Sequence, residues 1–353
     1  MSLSQLEKSA IEKVKSVGSS ELAIPLSDSV CVYLCMLIIR DLNLAAHFPE
    51  LKIDKKGFYE GIPGYEQEIL GIDFWSLVEK LFSIRRDAIT YFSCLASLQK
   101  GRLKFQKILE SQPFATAEQI GPRSLLQYGT LGSRALAHFL VWRKWLYDID
   151  NRAAQETGYI FEPIIAHSIG GIPIGAAKSP IRRHADVNKG RQVDCIVKKR
   201  AYEFKMRVTI AASGQGRWKE ELDFPTDCKA SGYTPVLVVF DSTENPKLTE
   251  LVKVFKENMG EVYIGENAWK HLEGIAGDTM SVFLEKYVRT PIDSILEEVK
   301  ARPLDSLSLV QDSKGVQIKV GQHTLFIERK MSLLSDNKND LPDDIEEETS
   351  GVE

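Results

Sequence analysis

The chain of 353 residues carries 45 Lys and Arg against 49 Asp and Glu, a formal charge of −4, with 43% hydrophobic residues. This is a globular composition, long enough for two domains with substantial cores. The longest apolar run, Val30 to Ile39, is too short to span a bilayer, so no membrane partner is expected.

The average charge conceals a split. Residues 331–353 hold eight acids and one Lys, while residues 178–219 hold twelve Lys and Arg against three Asp and Glu. Patches rather than totals attract phosphates, so the basic stretch points to a polyanionic partner. The five cysteines, Cys31, Cys35, Cys94, Cys195 and Cys228, have no paired spacing and read as free, buried thiols in a reducing, cytoplasmic setting. Cys31 and Cys35 have no second Cys or His pair nearby, which argues against zinc.

In chain order, residues 1–115 read as a helical region, a surface for dimerisation or DNA contact. Helical spacing runs from Ser4 to Val17, and Ser27 or Asp28 caps a second helix reaching about Ala46. Residues 49–70 read as a loop, and Asp73 opens a longer pattern that stops before Pro113. Its cations Lys100, Arg102, Lys104 and Lys107 fit a solvated face better than a phosphate track. After a short helix and turn over 116–132, a strong helix starts at Ser133. Its Trp142 and Trp145 suit a core better than base stacking. Pro163 limits how far that helix continues. Glu156 and Glu162 lie near its end, six residues apart and about 120° apart around a helix, so one of them at most faces a given neighbour.

Residues 168–190 read as a loop with room for a short strand, and Arg182, Arg183, Lys189 and Arg191 make it a candidate DNA-contacting segment. His184 there is read as a surface histidine. Residues 191–209 form the informative stretch: two apolar-alternating runs around a Lys-Lys-Arg turn, the pattern of a β-hairpin. With a loop of two residues, or of four, which preserves parity, the expected register places Val193, Cys195 and Val197 on one face with Tyr202, Phe204 and Met206. It leaves Asp194, Ile196, Glu203, Lys205 and Arg207 on the other, with Asp194 opposite Lys205 and diagonal to Glu203. Two carboxylates at one point suit a hard cation such as Mg2+, which can activate a water and neutralise a phosphate, and an adjacent ammonium can orient that water. Other acid-x-Lys triplets, such as Asp227-Cys228-Lys229, lack this strand context. The plain alternative is a solvated hairpin face with a cross-strand ion pair.

Arg217–Ser231 reads as a helix broken near Pro225, whose Arg217 and Lys219 join the candidate DNA contacts, and Thr234–Asp241 as a buried parallel strand. A helix over 246–259 and a strand over 261–264 follow, then a helix over 276–302 and a β-hairpin over 307–328. The acidic tail from 331 reads as disordered. The expected fold is α/β: a mixed β-sheet flanked by helices, with a helical N-terminal region. Its expected segments are 1–115, a core at 116–272, 273–330, and the tail at 331–353.

Asp194 with Glu203-Phe204-Lys205 resembles the D…(D/E)-x-K signature of the PD-(D/E)XK nucleases, with Val193 where that superfamily's proline would stand. Gly158-Tyr159-Ile160-Phe161-Glu162 is similar to the G-x-x-F-E pattern that many of these enzymes carry on the helix before the first core strand, which favours Glu162 over Glu156. The order of helix, strand, hairpin strand, helix and buried strand is also theirs. The stretches WLYDIDNRAAQETGYIFEPI and RRHADVNKGRQVDCIVKKRAYEFK look most like the ApaLI-like group of type II restriction endonucleases.

The resemblance implies Mg2+-dependent cleavage of double-stranded DNA at a short, palindromic site, GTGCAC for the ApaLI-like group. Asp194, Glu203 and the Phe204 carbonyl would hold the metal, and Lys205 and Glu162 would complete the catalytic set. It also implies a homodimer and a cognate DNA methyltransferase as genetic partner. A repair or junction-resolving nuclease, and a non-catalytic DNA-binding protein, are the alternative readings.

Overall fold

A computed structural model of the chain describes residues 3–16, 24–51, 57–59, 71–206, 215–301 and 304–329. The expected helix starts are fixed by side-chain caps. Helix α1 (Gln5–Lys15) opens on a capping box between Ser4 and Glu7. Ser27 caps α2 (Asp28–Asp41), and Asp73 caps α3 (Phe74–Ile84) by accepting from the Ser76 amide at 2.7 Å. Then follow α4 (Ala88–Ser111), the short α5 (Ala117–Ile120) and the 36-residue α6 (Ser133–Ser168). Helix α6 runs through Pro163; the carbonyl that loses its amide partner belongs to Tyr159, which is exposed, so water can satisfy it.

The stretch expected as a loop with room for a short strand holds three strands: β1 (Ile172–Ile174), β2 (Arg182–Arg183) and β3 (Asp186–Gly190), the last two forming a separate antiparallel ribbon. The hairpin is β4 (Val193–Val197) and β5 (Arg200–Lys205). Helix α7 (Gln215–Ala230) continues through Pro225 and leads to β6 (Thr234–Val239). Helix α8 (Pro246–Glu257), β7 (Glu261–Ile264), α9 (Glu266–Leu284) and α10 (Thr290–Ala301) complete this part. The five-stranded sheet has the order β1-β4-β5-β6-β7, antiparallel up to β5 and parallel from β5 onward. The C-terminal hairpin is in fact a three-stranded meander, β8 (Leu307–Gln311), β9 (Gly315–Val320) and β10 (His323–Glu328).

The chain divides into two compact units. One comprises residues 1–108 and 147–304, the other 109–146 and 305–353. The N-terminal helices thus share a unit with the five-stranded sheet. One face of that sheet, with Tyr202, Phe204, Val236 and Val238, packs into a cluster with Leu34, Phe92, Ile165 and Trp269. Its other face, with Ala201, Leu237 and Val239, packs on Phe224, Leu251 and Phe255. Buried Asp41 joins α2, α4 and the chain after α9, accepting from the Tyr91 hydroxyl at 3.0 Å, the Lys286 ammonium at 2.9 Å and the Tyr287 hydroxyl. In the second unit Trp145 is fully buried, stacked on Phe114 and edge-on to Trp142, as expected of core tryptophans. All five cysteines are free and buried. No helix among the described residues is long and apolar enough to cross a membrane.

Candidate active site

The hairpin turns over two residues, pairing Val197 with Arg200, Ile196 with Ala201 and Cys195 with Tyr202. Continued by one pair, this register sets Asp194 level with Glu203, two residues along β5 from the alignment with Lys205 expected from the sequence, which a four-residue loop would give. The alternation of β4 also breaks at Asp194. Cys195 belongs to the helical cluster, but Val193 packs in the opposite one with Ile181 and Ala201. The break turns Asp194 inward, where its Oδ2 accepts the Phe204 amide at 2.8 Å. Phe204 therefore touches Asp194 through its N–H. Its ring, buried on the other face, fixes this rung of the sheet.

Glu203 and Lys205 lie two apart on β5 and so share the face that looks toward α7. The Lys205 Nζ stands 2.8 Å from Glu203 Oε1 and 3.4 Å from Glu221 Oε1. Glu221 was not foreseen from the sequence. The signal for it was the buried stripe of α7, which reads Trp218, Glu221, Phe224 and Cys228 at helical spacing, with a carboxylate where an apolar residue would be expected.

The electrostatics are strained in one direction. Asp194 is hemmed in by protein, and this burial holds its carboxyl well above the ordinary carboxylate range. The charges of Glu203 and Glu162 push the same way, and the Phe204 amide and Lys205 only partly oppose them. Burial alone would depress the Lys205 ammonium, but Glu203 and Glu221 more than offset it, so the lysine stays charged. The field of Glu162 reaches Asp194, whereas Glu156 is paired with Lys104 at 2.8 Å. Of the two candidate helix acids, Glu162 is the one beside the hairpin.

Glu203, Glu221 and Asp194 therefore act on one ammonium, with Glu162 adding its charge at Asp194, and a divalent cation would relieve the imbalance. Among the described residues no three His, Cys, Asp or Glu side chains form a metal-binding group. The donors expected from the sequence, the carboxylates of Asp194 and Glu203 with the Phe204 carbonyl, are all hard oxygen, a chemistry that would suit a cation that keeps several waters.

The candidate DNA contacts separate. Arg182, Lys189 and Lys219 are exposed. Arg183 is half-buried and paired with Glu220 at 2.7 Å. Arg191 is interior, donating to Asp227 at 2.6 Å and to the Glu220 carbonyl, which takes it out of reach of a duplex. Arg207 lies outside the described residues, as does the side chain of Arg217. His184, read as a plain surface histidine, is bound through both its backbone and its ring to Asp227. Arg102 of the α4 cation run also turns inward, to the Phe58 carbonyl and ring.

Residues 65–289 match the family model described as ApaLI-like restriction endonuclease. The type II restriction enzyme ApaLI of Acetobacter pasteurianus is 44% identical over 292 residues, covering 78% of each chain. No solved structure matches. On both grounds the chain belongs to the ApaLI-like restriction endonucleases, enzymes that cut DNA at a specific sequence.

Proposed function

We propose that this type II restriction endonuclease cuts both strands of a short palindrome in duplex DNA with Mg2+ at the β4–β5 hairpin, and that Asp194, Glu203, Lys205 and Glu162 carry the reaction. The observation that carries this is the meeting of Asp194, Glu203 and Lys205 at one end of an antiparallel pair. Asp194 and Glu203, with the Phe204 carbonyl, would hold the ion. When bound it would acidify a water and neutralise charge on the scissile phosphate. Lys205, kept protonated, donates hydrogen bonds that orient the attacking water and stabilise negative charge on the phosphate oxygens. Glu162, whose charge acts on Asp194, would support the lysine or a second metal.

The palindrome implied by the ApaLI-like resemblance is GTGCAC. A two-fold site is matched by a two-fold homodimer, one active site per strand. A cognate methyltransferase would protect the host's own copies. Exposed Arg182, Lys189 and Lys219 are the best-placed phosphate or base contacts.

Plasmid digestion tests this. With Mg2+ the enzyme gives discrete fragments whose sequenced ends map to one palindrome, and omission of the metal abolishes them. Glu203→Ala and Lys205→Ala remain folded and cut at least about 100-fold more slowly, as expected when a group acting in the transition state is lost. A smear, cutting only at junctions, or undiminished cutting by these variants rejects the assignment.

A further inference from the structure

Lys205 is shared between two carboxylates that come from different elements. Glu203, on the same strand, is the nearer at 2.8 Å, and Glu221, reaching in from α7, stands at 3.4 Å. All three side chains are partly buried, at 22% exposure for the lysine, 16% for Glu203 and 20% for Glu221, so water does little to screen them. Glu203 thus has two suitors. As the site stands it pairs with the ammonium, and a cation seated beside Asp194 would compete for the same carboxylate. An ammonium and a divalent ion repel, so they are poor partners for one carboxyl group at once. Among the ion pairs described for Lys205, Glu221 is the alternative, and it does not belong to the donor set of Asp194, Glu203 and Phe204.

The backbone around Glu221 is built to hold it there. The preceding residue, Glu220, is pinned twice: its carboxylate by Arg183 at 2.7 Å and its carbonyl by the buried Arg191 guanidinium. On the C-terminal side the ring of Pro225 stands in the next helical turn, where Phe224 is buried against Phe255. Glu221 therefore sits on a turn of α7 anchored from both sides.

Resting on the nuclease reading above, we propose that Glu221 is a positioning residue: it takes over the Lys205 ammonium when Glu203 turns to the metal, so that the lysine stays in place without competing for the ligand. Glu221 touches neither the cation nor the DNA.

The test combines metal binding with kinetics. Ca2+ is titrated calorimetrically into the DNA-free full-length protein, for wild type, Glu221→Gln, Lys205→Met and the double variant. Cleavage is measured in single turnover on an oligoduplex carrying the mapped site. Glu221→Gln is expected to weaken Ca2+ binding about tenfold and to slow cleavage about tenfold, the usual scale for residues that act behind a metal ligand. The concentration of duplex giving half-maximal rate stays unchanged. In the Lys205→Met background the same substitution leaves Ca2+ affinity unchanged, because the competing ammonium is gone. An equal loss of affinity in both backgrounds overturns the proposal, since Glu221 would then contact the cation directly. No loss in either background also overturns it, leaving Glu221 a structural bystander. Should Glu221→Gln fail to fold, Glu221→Asp, which keeps the charge but shortens the reach, carries the same comparison. A wild-type protein that neither binds Ca2+ nor cuts DNA would instead overturn the nuclease site itself.

Discussion

Asp227 and Asp194 are two enclosed carboxylates treated in opposite ways. Asp227 accepts from the Arg191 guanidinium at 2.6 Å and from His184 through both backbone and ring nitrogens, so its charge is matched where it lies. Among the described residues, Asp194 accepts one backbone amide, and the cation acting on it is the lysine paired with Glu203 and Glu221. The first arrangement serves the fold, and the second is the one that the proposed metal site requires. Removing one partner of a buried ion pair strands the other, at a cost of about 3–5 kcal/mol. Asp227→Ala should lower urea-unfolding stability by that amount and loosen the β2–β3 ribbon that His184 and Arg191 tie to α7. Arg183→Ala breaks a pair with a half-exposed Glu220 and should cost under about 1 kcal/mol. Equal losses for the two variants would show that the Asp227 network is not the anchor.

At the scale of elements, close approach of backbones sets which glycines are required. A Cβ on Gly171 would fall 2.2 Å from Cys195 Sγ and 2.9 Å from the Ile196 carbonyl, so β1 lies against β4 only because no side chain intervenes. Gly171→Ala should destabilise by about 1–3 kcal/mol, as overpacking does. Gly158, inside α6 and part of the stretch that resembles the family pattern, has nothing within 4 Å of its Cβ position. Gly158→Ala should therefore stabilise the protein by about 0.5–1 kcal/mol, read as a raised unfolding midpoint, without loss of cleavage. A fall in stability would mean that the glycine serves the helix in another way.

What was legible follows the same logic. The β4–β5 hairpin was readable because alternation over ten residues leaves few registers that bury Cys195, Tyr202 and Phe204 together. The expected alignment of Asp194 differs from the observed one by two residues, because a charged turn of Lys and Arg does not mark whether two or four residues form the loop. The β2–β3 ribbon was hidden: two and five residues, mostly polar, carry no period, and Asp227 some forty residues downstream stabilises it. The sequence predicts a break in α7 at Pro225, yet the helix continues, and the Arg191 guanidinium donates to the Glu220 carbonyl in the turn before the proline. Glu221 shows in the sequence only as a carboxylate within the apolar stripe of α7, not by what it pairs with. Its partner, Lys205, lies across a tertiary contact that no local pattern encodes.

For the whole molecule, a formal charge of −4 has to be reconciled with a polyanionic substrate. Affinity for duplex DNA is carried by cations that release condensed counterions, and each phosphate contact contributes about 0.9 to the slope of log affinity against log salt. The structure narrows which cations qualify. Arg182, Lys189 and Lys219 are exposed on the β2–β3 ribbon and on α7, next to the turn that carries Glu221, whereas Arg191 is consumed inside. Replacing the three exposed residues by Ala together should reduce the salt slope by about 3 when binding to a site-bearing duplex is titrated without Mg2+. The unfolding midpoint should stay close to wild type, since none of the three side chains is buried. Arg191→Met should behave in reverse, losing stability with little change in slope. If the triple variant keeps the wild-type slope, the duplex does not lie along the ribbon and α7, and the route from DNA contact to Lys205 must run through another surface.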